Sequence, residues 1–134
     1  MDIIEIEIRS KREGALTKCH VERLSDNEFR MSENDILNCT LTYGTEFKTR
    51  VNKDGEHEIV RITKESPFIT RRFLLTSKFG EADYRLLGDE ITNAGGFWQV
   101  DFGGLATINL PQQCDFDIDQ LFVSFNFTPT EIKD

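Results

Sequence analysis

Ile4, Ile6 and Ile8 alternate with Glu5, Glu7 and Arg9 at the start of the chain, a period of two that predicts a strand with one buried face. A charged turn over Ser10 to Gly14 leads to a second predicted strand, Leu16 to Leu24. Asp26-Asn27 then turns into a third, Glu28 to Met31. Ser32 to Cys39 is polar and irregular and reads as a loop. From Phe47 to Thr63 a hairpin is expected around Asp54-Gly55, a preferred pair for a two-residue type I′ turn. That turn pairs Lys53 with Glu56, Val51 with Glu58, Thr49 with Val60 and Phe47 with Ile62. Phe47, Thr49, Val51, Val60 and Ile62 then share an apolar face, and Lys48, Arg50, His57 and Arg61 share the other.

The pattern changes after Ser66-Pro67. Phe68 to Thr76 reads as a strand, and Ser77 is placed to cap a helix with Phe79, Ala82 and Leu86 at helical spacing, stopped by Gly88. Asp89 to Thr92 is at most a short strand, followed by a turn at Asn93-Ala94-Gly95-Gly96. Phe97 to Phe102 and Leu105 to Leu110 form a strand pair. A strict two-residue turn at Gly103-Gly104 sets Ala106, Ile108 and Leu110 against Asp101 and Gln99, whereas one extra residue matches them to Phe102, Val100 and Trp98; a glycine bulge is therefore expected. Asp117 and Gln120 form a capping-box pattern ahead of Ile118, Leu121, Phe122 and Phe125, spaced as a helix stripe. A strand with Leu121, Val123, Phe125 and Phe127 on one face is the rival reading; the cap favours the helix.

These elements predict an α+β protein: a small antiparallel β-barrel-like half over residues 1–65, then a β-α-β-β-α segment over 66–128, half of a ferredoxin-like arrangement, and a polar tail over 129–134. A chain of 134 residues suits one domain and buries enough surface for a core without disulfides. With eleven phenylalanines against two tyrosines and one tryptophan, most aromatic rings have no polar tip to satisfy and belong in that core. The formal charge of −8 works against binding nucleic acid or anionic membranes and favours encounter with a basic partner. Three cysteines, Cys19, Cys39 and Cys114, at long spacings argue against a disulfide framework. The first residues lack the basic start and unbroken apolar run of a signal peptide, so a cytoplasmic protein is expected.

Several short words occur in a fixed order: Val21-Glu22-Arg23-Leu24, Asn27-Glu28-Phe29-Arg30-Met31, Thr42-Tyr43-Gly44-Thr45, the Asp54-Gly55 hairpin, Leu86-Leu87-Gly88 and Leu105-Ala106-Thr107-Ile108-Asn109-Leu110-Pro111. Over about residues 20 to 125 this order resembles the bacterial family catalogued as domain of unknown function 4265. Ser25-Asp26 stands where that family has an aromatic word, Asn34-Asp35-Ile36-Leu37 where it has proline with an aromatic, and Thr45 where it has aspartate. The resemblance implies a barrel-like β region followed by a β-α-β-β-α half, and it carries over no functional residue.

Asp115, Asp117 and Asp119 match positions 1, 3 and 5 of a calcium loop, but Gln120 replaces the glycine at 6 and Asn126 the glutamate at 12. They read better as acids at a helix N-terminus. Adjacent Cys19 and His20 point to opposite faces of a strand and do not form a zinc site. Only His20 and His57 are available as imidazole bases, and neither a nucleophile elbow nor a phosphate-binding glycine loop occurs. No catalytic residue, metal or cofactor is therefore expected. The candidate binding residues are the acids Asp115, Asp117 and Asp119 and the bases Lys48, Arg50 and Arg61. With Glu81, Asp83, Asp89 and Glu90 adding to the acidic surface, the first expectation is a module for a basic protein partner, such as a toxin or effector inhibitor of the immunity type. The second is a protein that sequesters an anionic metabolite or nucleotide on the Lys48/Arg50/Arg61 face. The third is a hydrolase or transferase in which an acid or Cys114 meets His57 in a cleft.

Overall fold

The computed structural model describes residues 2–10, 14–35, 38, 40–75, 80–125 and 128–133. Among the described residues the fold is mostly β with two helices, an α+β class, and the chain divides into two compact units, Met1–Pro67 and Phe68–Asp134.

In the first unit β1 (Ile3–Arg9), β2 (Leu16–Ser25), β3 (Glu28–Met31), β4 (Glu46–Val51) and β5 (His57–Lys64) close into a ring in chain order. The alternation of β1 works as its sequence demands: Ile4, Ile6 and Ile8 pair with Val21, Cys19 and Thr17. Ile6, Ile8, Cys19, Val21, Phe29, Met31, Leu41 and Phe47 fill the ring. Phe29 lies directly opposite Phe47, with ring centroids 5.9 Å apart, a cross-strand aromatic pair at the centre of this core. Four of the five ladders are antiparallel. The fifth is a parallel contact of β1 with β5 at Ile8 and His57, reinforced next door by a two-pronged ion pair from Arg9 to Glu56 (3.2 and 2.8 Å).

The hairpin between β4 and β5 corrects the expected register. Phe47 does pair with Ile62, but Thr49 pairs with Ile59, Arg50 with Glu58 and Val51 with His57. Asn52 is the cause. Its Oδ1 accepts from the amides of Asp54 (2.9 Å) and Glu56 (3.0 Å), so the side chain organises a longer connection than the two-residue turn. The ladder shifts between Lys48 and Thr49, leaving Val60 unpaired and 52% exposed. His57 consequently lies on the face of Thr49 rather than with Lys48, Arg50 and Arg61.

In the second unit β6 (Phe68–Leu74), α1 (Glu81–Asn93), β7 (Phe97–Asp101), β8 (Leu105–Pro111), α2 (Ile118–Ser124) and β9 (Thr130–Ile132) build a four-stranded antiparallel sheet, order β7-β8-β6-β9. The polar tail is thus part of the sheet, with Glu131 opposite Phe73. The helix reading of the 117–127 segment holds over Ile118–Ser124, capped by Asp117, whose side chain accepts from the amides of Asp119 and Gln120. Ala106 and Ile108 meet Val100 and Trp98 as the apolar pattern asked, but the extra residue sits in the three-residue connection and not in a bulge. Two successive positive φ values (Phe102 at 53° and Gly103 at 76°) form the turn closed by Gly104 N–H to Asp101 O.

The helix α1 overturns the expected stop at Gly88. Ser77 and Phe79 lie outside the described residues; the helix starts after Gly80, whose amide donates to Asp83, and continues through Asp89 to Thr92. Its inward stripe is Tyr84, Leu87, Gly88 and Ile91, while Leu86 is 45% exposed. Gly88 is there for packing: a Cβ at this position would stand 2.8 Å from the indole of Trp98, which itself stacks on Tyr84.

Gly88→Ala is expected to destabilise the protein in urea, because overpacking of about 1–3 kcal/mol outweighs the helix-propensity gain of about 1 kcal/mol. Combining it with Trp98→Phe, which removes the obstructing atoms, should recover part of the loss in a double-mutant cycle. Phe102→Asn is expected to raise the midpoint of thermal unfolding by relieving about 1 kcal/mol of left-handed backbone strain, since the phenyl ring is 83% exposed and contributes little burial.

Candidate functional site

The acidic segment before α2 separates into three environments. Asp117 is occupied as the helix cap. Asp119, on the first turn, receives two hydrogen bonds from Arg71 of β6 (3.0 and 2.9 Å). Arg71 also donates twice to Glu131 of β9, each at 2.9 Å, and lies 5.0 Å from the centre of the Phe73 ring. The hydrogen bonds to Arg71 hold the carboxyls of Asp119 and Glu131 below their usual range. Asp115 is exposed.

Two concavities of this unit meet at Cys114, Phe116 and Asp117. The larger, about 770 Å³ and wide open, runs from the end of α1 to α2 and is lined in part by Glu90, Asn93, Asp115, Asp117 and Leu121. Among the described residues no lysine, arginine or histidine lines it. The smaller, about 300 Å³, is an apolar slot between β6, β8 and the segment entering α2, walled by Ile69, Ile108, Leu110, Phe116 and Ile118 with Arg71 at its margin. Ile69 is 52% exposed there. Glu90 stands in the last turns of α1, which carries no basic residue in its final turn although the macrodipole favours one. Glu81, by contrast, is at the other end of the helix and pairs weakly with Arg85 (3.5 Å), and Asp83 serves the Gly80 amide.

The basic candidates lie on the outer face of the first unit. Lys48 is opposite Arg61 on one side and Glu28 on the other, and Arg50 is paired with Glu58 at 3.2 Å. Nearby acids are engaged too: Arg30 bridges Glu22 (3.2 Å) and Glu46 (3.3 Å). His57 points away from this face. Its Nδ1 is 2.8 Å from Thr49 Oγ1 and its ring meets Phe29 edge-on at 5.2 Å. Burial first, and then the charge of Arg23, lowers the His57 pKa. His20 is on the outside, 3.0 Å from Glu33, while Cys19 on the opposite face is buried beside Asp35. Burial and that acid push the Cys19 thiol up to about 12, so it is an unreactive core group. Among the described residues no group of histidines, cysteines and acids could hold a metal ion. No helix among them is long and apolar enough to cross a membrane.

No protein-family model matches the chain, and no curated protein matches it. A solved structure does: a hypothetical protein from Neisseria gonorrhoeae, with a TM-score of 0.64 at 12% identity, covering 98% of this chain and 94% of that one. The likeness is one of fold. It extends over both units.

The Arg71 pairs give stability a definite pH dependence. Carboxyls held below their unfolded values stabilise fully above the ordinary range near 4 and lose that contribution as pH falls through the lowered values. Urea unfolding is expected to show wild-type stability falling on acidification from pH 7 towards 3, with a shallower fall in Arg71→Met.

Proposed function

We propose that the protein is a non-enzymatic, acidic protein-interaction module of the cytoplasm, of the kind that inhibits a toxin or effector as an immunity-type partner. The observation that carries the reading is the wide cleft bordered by Glu90, Asp115 and Asp117, with no basic group among the described residues that line it. In a chain of net charge −8 such a surface attracts a basic protein, speeds encounter and disfavours acidic partners. The engaged state of both histidines and of Cys19 supports a binding role over a hydrolytic one. The closed ring supports the barrel-like reading of the first unit. The order β-α-β-β-α-β, with strands arranged β7-β8-β6-β9, supports a ferredoxin-like reading of the second. The word order resembling domain of unknown function 4265 supports a bacterial origin.

A second reading has one observation in its favour. Lys48 and Arg61 are directly opposite across a ladder, a like-charge pair that an anion would relieve. Glu28 and Glu58 on the same face weaken it as a site for a metabolite or nucleotide, and unshifted native mass spectra with a nucleotide panel would remove it.

Affinity capture from the native host at low salt tests the first reading. Wild-type protein is expected to retain a stoichiometric basic protein that Glu90→Lys/Asp115→Lys releases, and co-expression should suppress that protein's toxicity. Recovery of no stoichiometric protein rules the reading out.

A further inference from the structure

We infer that the apolar slot and the acidic cleft form one composite groove for a segment of a partner protein that inserts a single apolar side chain between Ile69, Leu110 and Phe116 and lays lysines or arginines against Asp115, Asp117 and Glu90. This deepens the interaction-module reading and rests on it, by naming the groove and the chemistry of what fills it. The two concavities adjoin through Cys114, Phe116 and Asp117, so one extended segment reaches both. The slot, at about 300 Å³, lies at the small end of ligand pockets and fits one large apolar side chain better than a cofactor. Anchors of that type dominate interface energetics, and a charged rim selects the partner.

Charge decides what may flank the anchor. Arg71 is the cation among the described residues lining the slot, and it is met by the carboxylates of Asp119 and Glu131, with Asp117 on the same wall. Two cations, Arg71 and the Lys133 ammonium that also acts on Asp119 and Glu131, stand against three carboxylates, which leaves this margin negative and disfavours a phosphate or carboxylate ligand. The cleft beyond it adds Glu90 and Asp115 and the carbonyl end of α1. A cationic segment therefore complements the groove along its length, whereas an anionic metabolite meets repulsion at both ends.

Short fluorescein-labelled peptides provide the test: one leucine among lysines and glycines, the same peptide with glutamates for lysines, and the same with glycine for leucine. The full-length protein is expected to bind the first saturably and each control at least about tenfold more weakly. Ile69→Arg, at a half-exposed slot position, and Glu90→Lys/Asp115→Lys, at exposed positions, should each weaken binding by about tenfold or more. Amide chemical shifts should move around Ile69, Leu110 and Phe116. Equal binding by the glutamate peptide, binding untouched by Ile69→Arg, or shifts centred elsewhere would overturn the proposal. If no peptide binds while host capture still returns a basic protein sensitive to Glu90→Lys/Asp115→Lys, the groove assignment falls and the interaction-module reading stands. If neither binds, both fall.

Discussion

Arg71 is where three elements of the second unit are tied together. Its guanidinium leaves β6 on the helix-facing side of the sheet, takes Asp119 from the first turn of α2 and Glu131 from β9, and lies against the Phe73 ring. Planar guanidinium groups suit this use, because two carboxylates can each be met by paired donors. The arrangement joins a short helix and a three-residue strand to the sheet, both too short to hold their positions by propensity. It also consumes the positive charge next to the slot. One side chain therefore serves both architecture and electrostatics, with Lys133 adding its charge beside the same two acids.

The first unit has a different economy. Its stability rests on the apolar filling around Phe29 and Phe47, and two of its polar interior side chains have specific partners: Asn34 accepts from the Tyr43 amide, and Thr49 meets His57. The outer face carries a set of ion pairs, Arg30 with Glu22 and Glu46, and Arg50 with Glu58. In the second unit Glu90 and Asp115 stand along the cleft.

Much of this was legible in the residues. Alternation in β1, the capped helix after Asp117 and the apolar matching of β7 with β8 follow from local rules, and local rules suffice where neighbours in sequence supply the partners. The failures share a cause. Gly88 signals a helix end to any reader of the chain, yet it is fixed by an indole ten residues away, which sequence spacing does not reveal. Asn52 outcompetes Asp54-Gly55 for the turn because its side chain reaches two amides at once, and the displaced register carries His57 inward. Asp117, Asp119 and Asp115 were recognisable as acids before a helix, but their division into cap, ion pair and exposed rim needed Arg71 and Glu131, which lie 48 and 12 residues from Asp119 in sequence. Arg71 stands beside Arg72 in the sequence, and nothing in its neighbours there points to Asp119 or Glu131.

The closure of the ring by Ile8 and His57 has a consequence for how the first unit comes apart. A closed ring has no free strand edge, but its seam is a single register pair beside one ion pair, whereas β1 and β2 share seven. Fluctuations open a structure at its least-bonded ladder, and opening this one releases two edges together, β1 and β5. Each then offers unsatisfied amides and carbonyls to another chain. The same seam that spares the folded molecule from edge-to-edge association is thus the place where strand exchange between copies would begin.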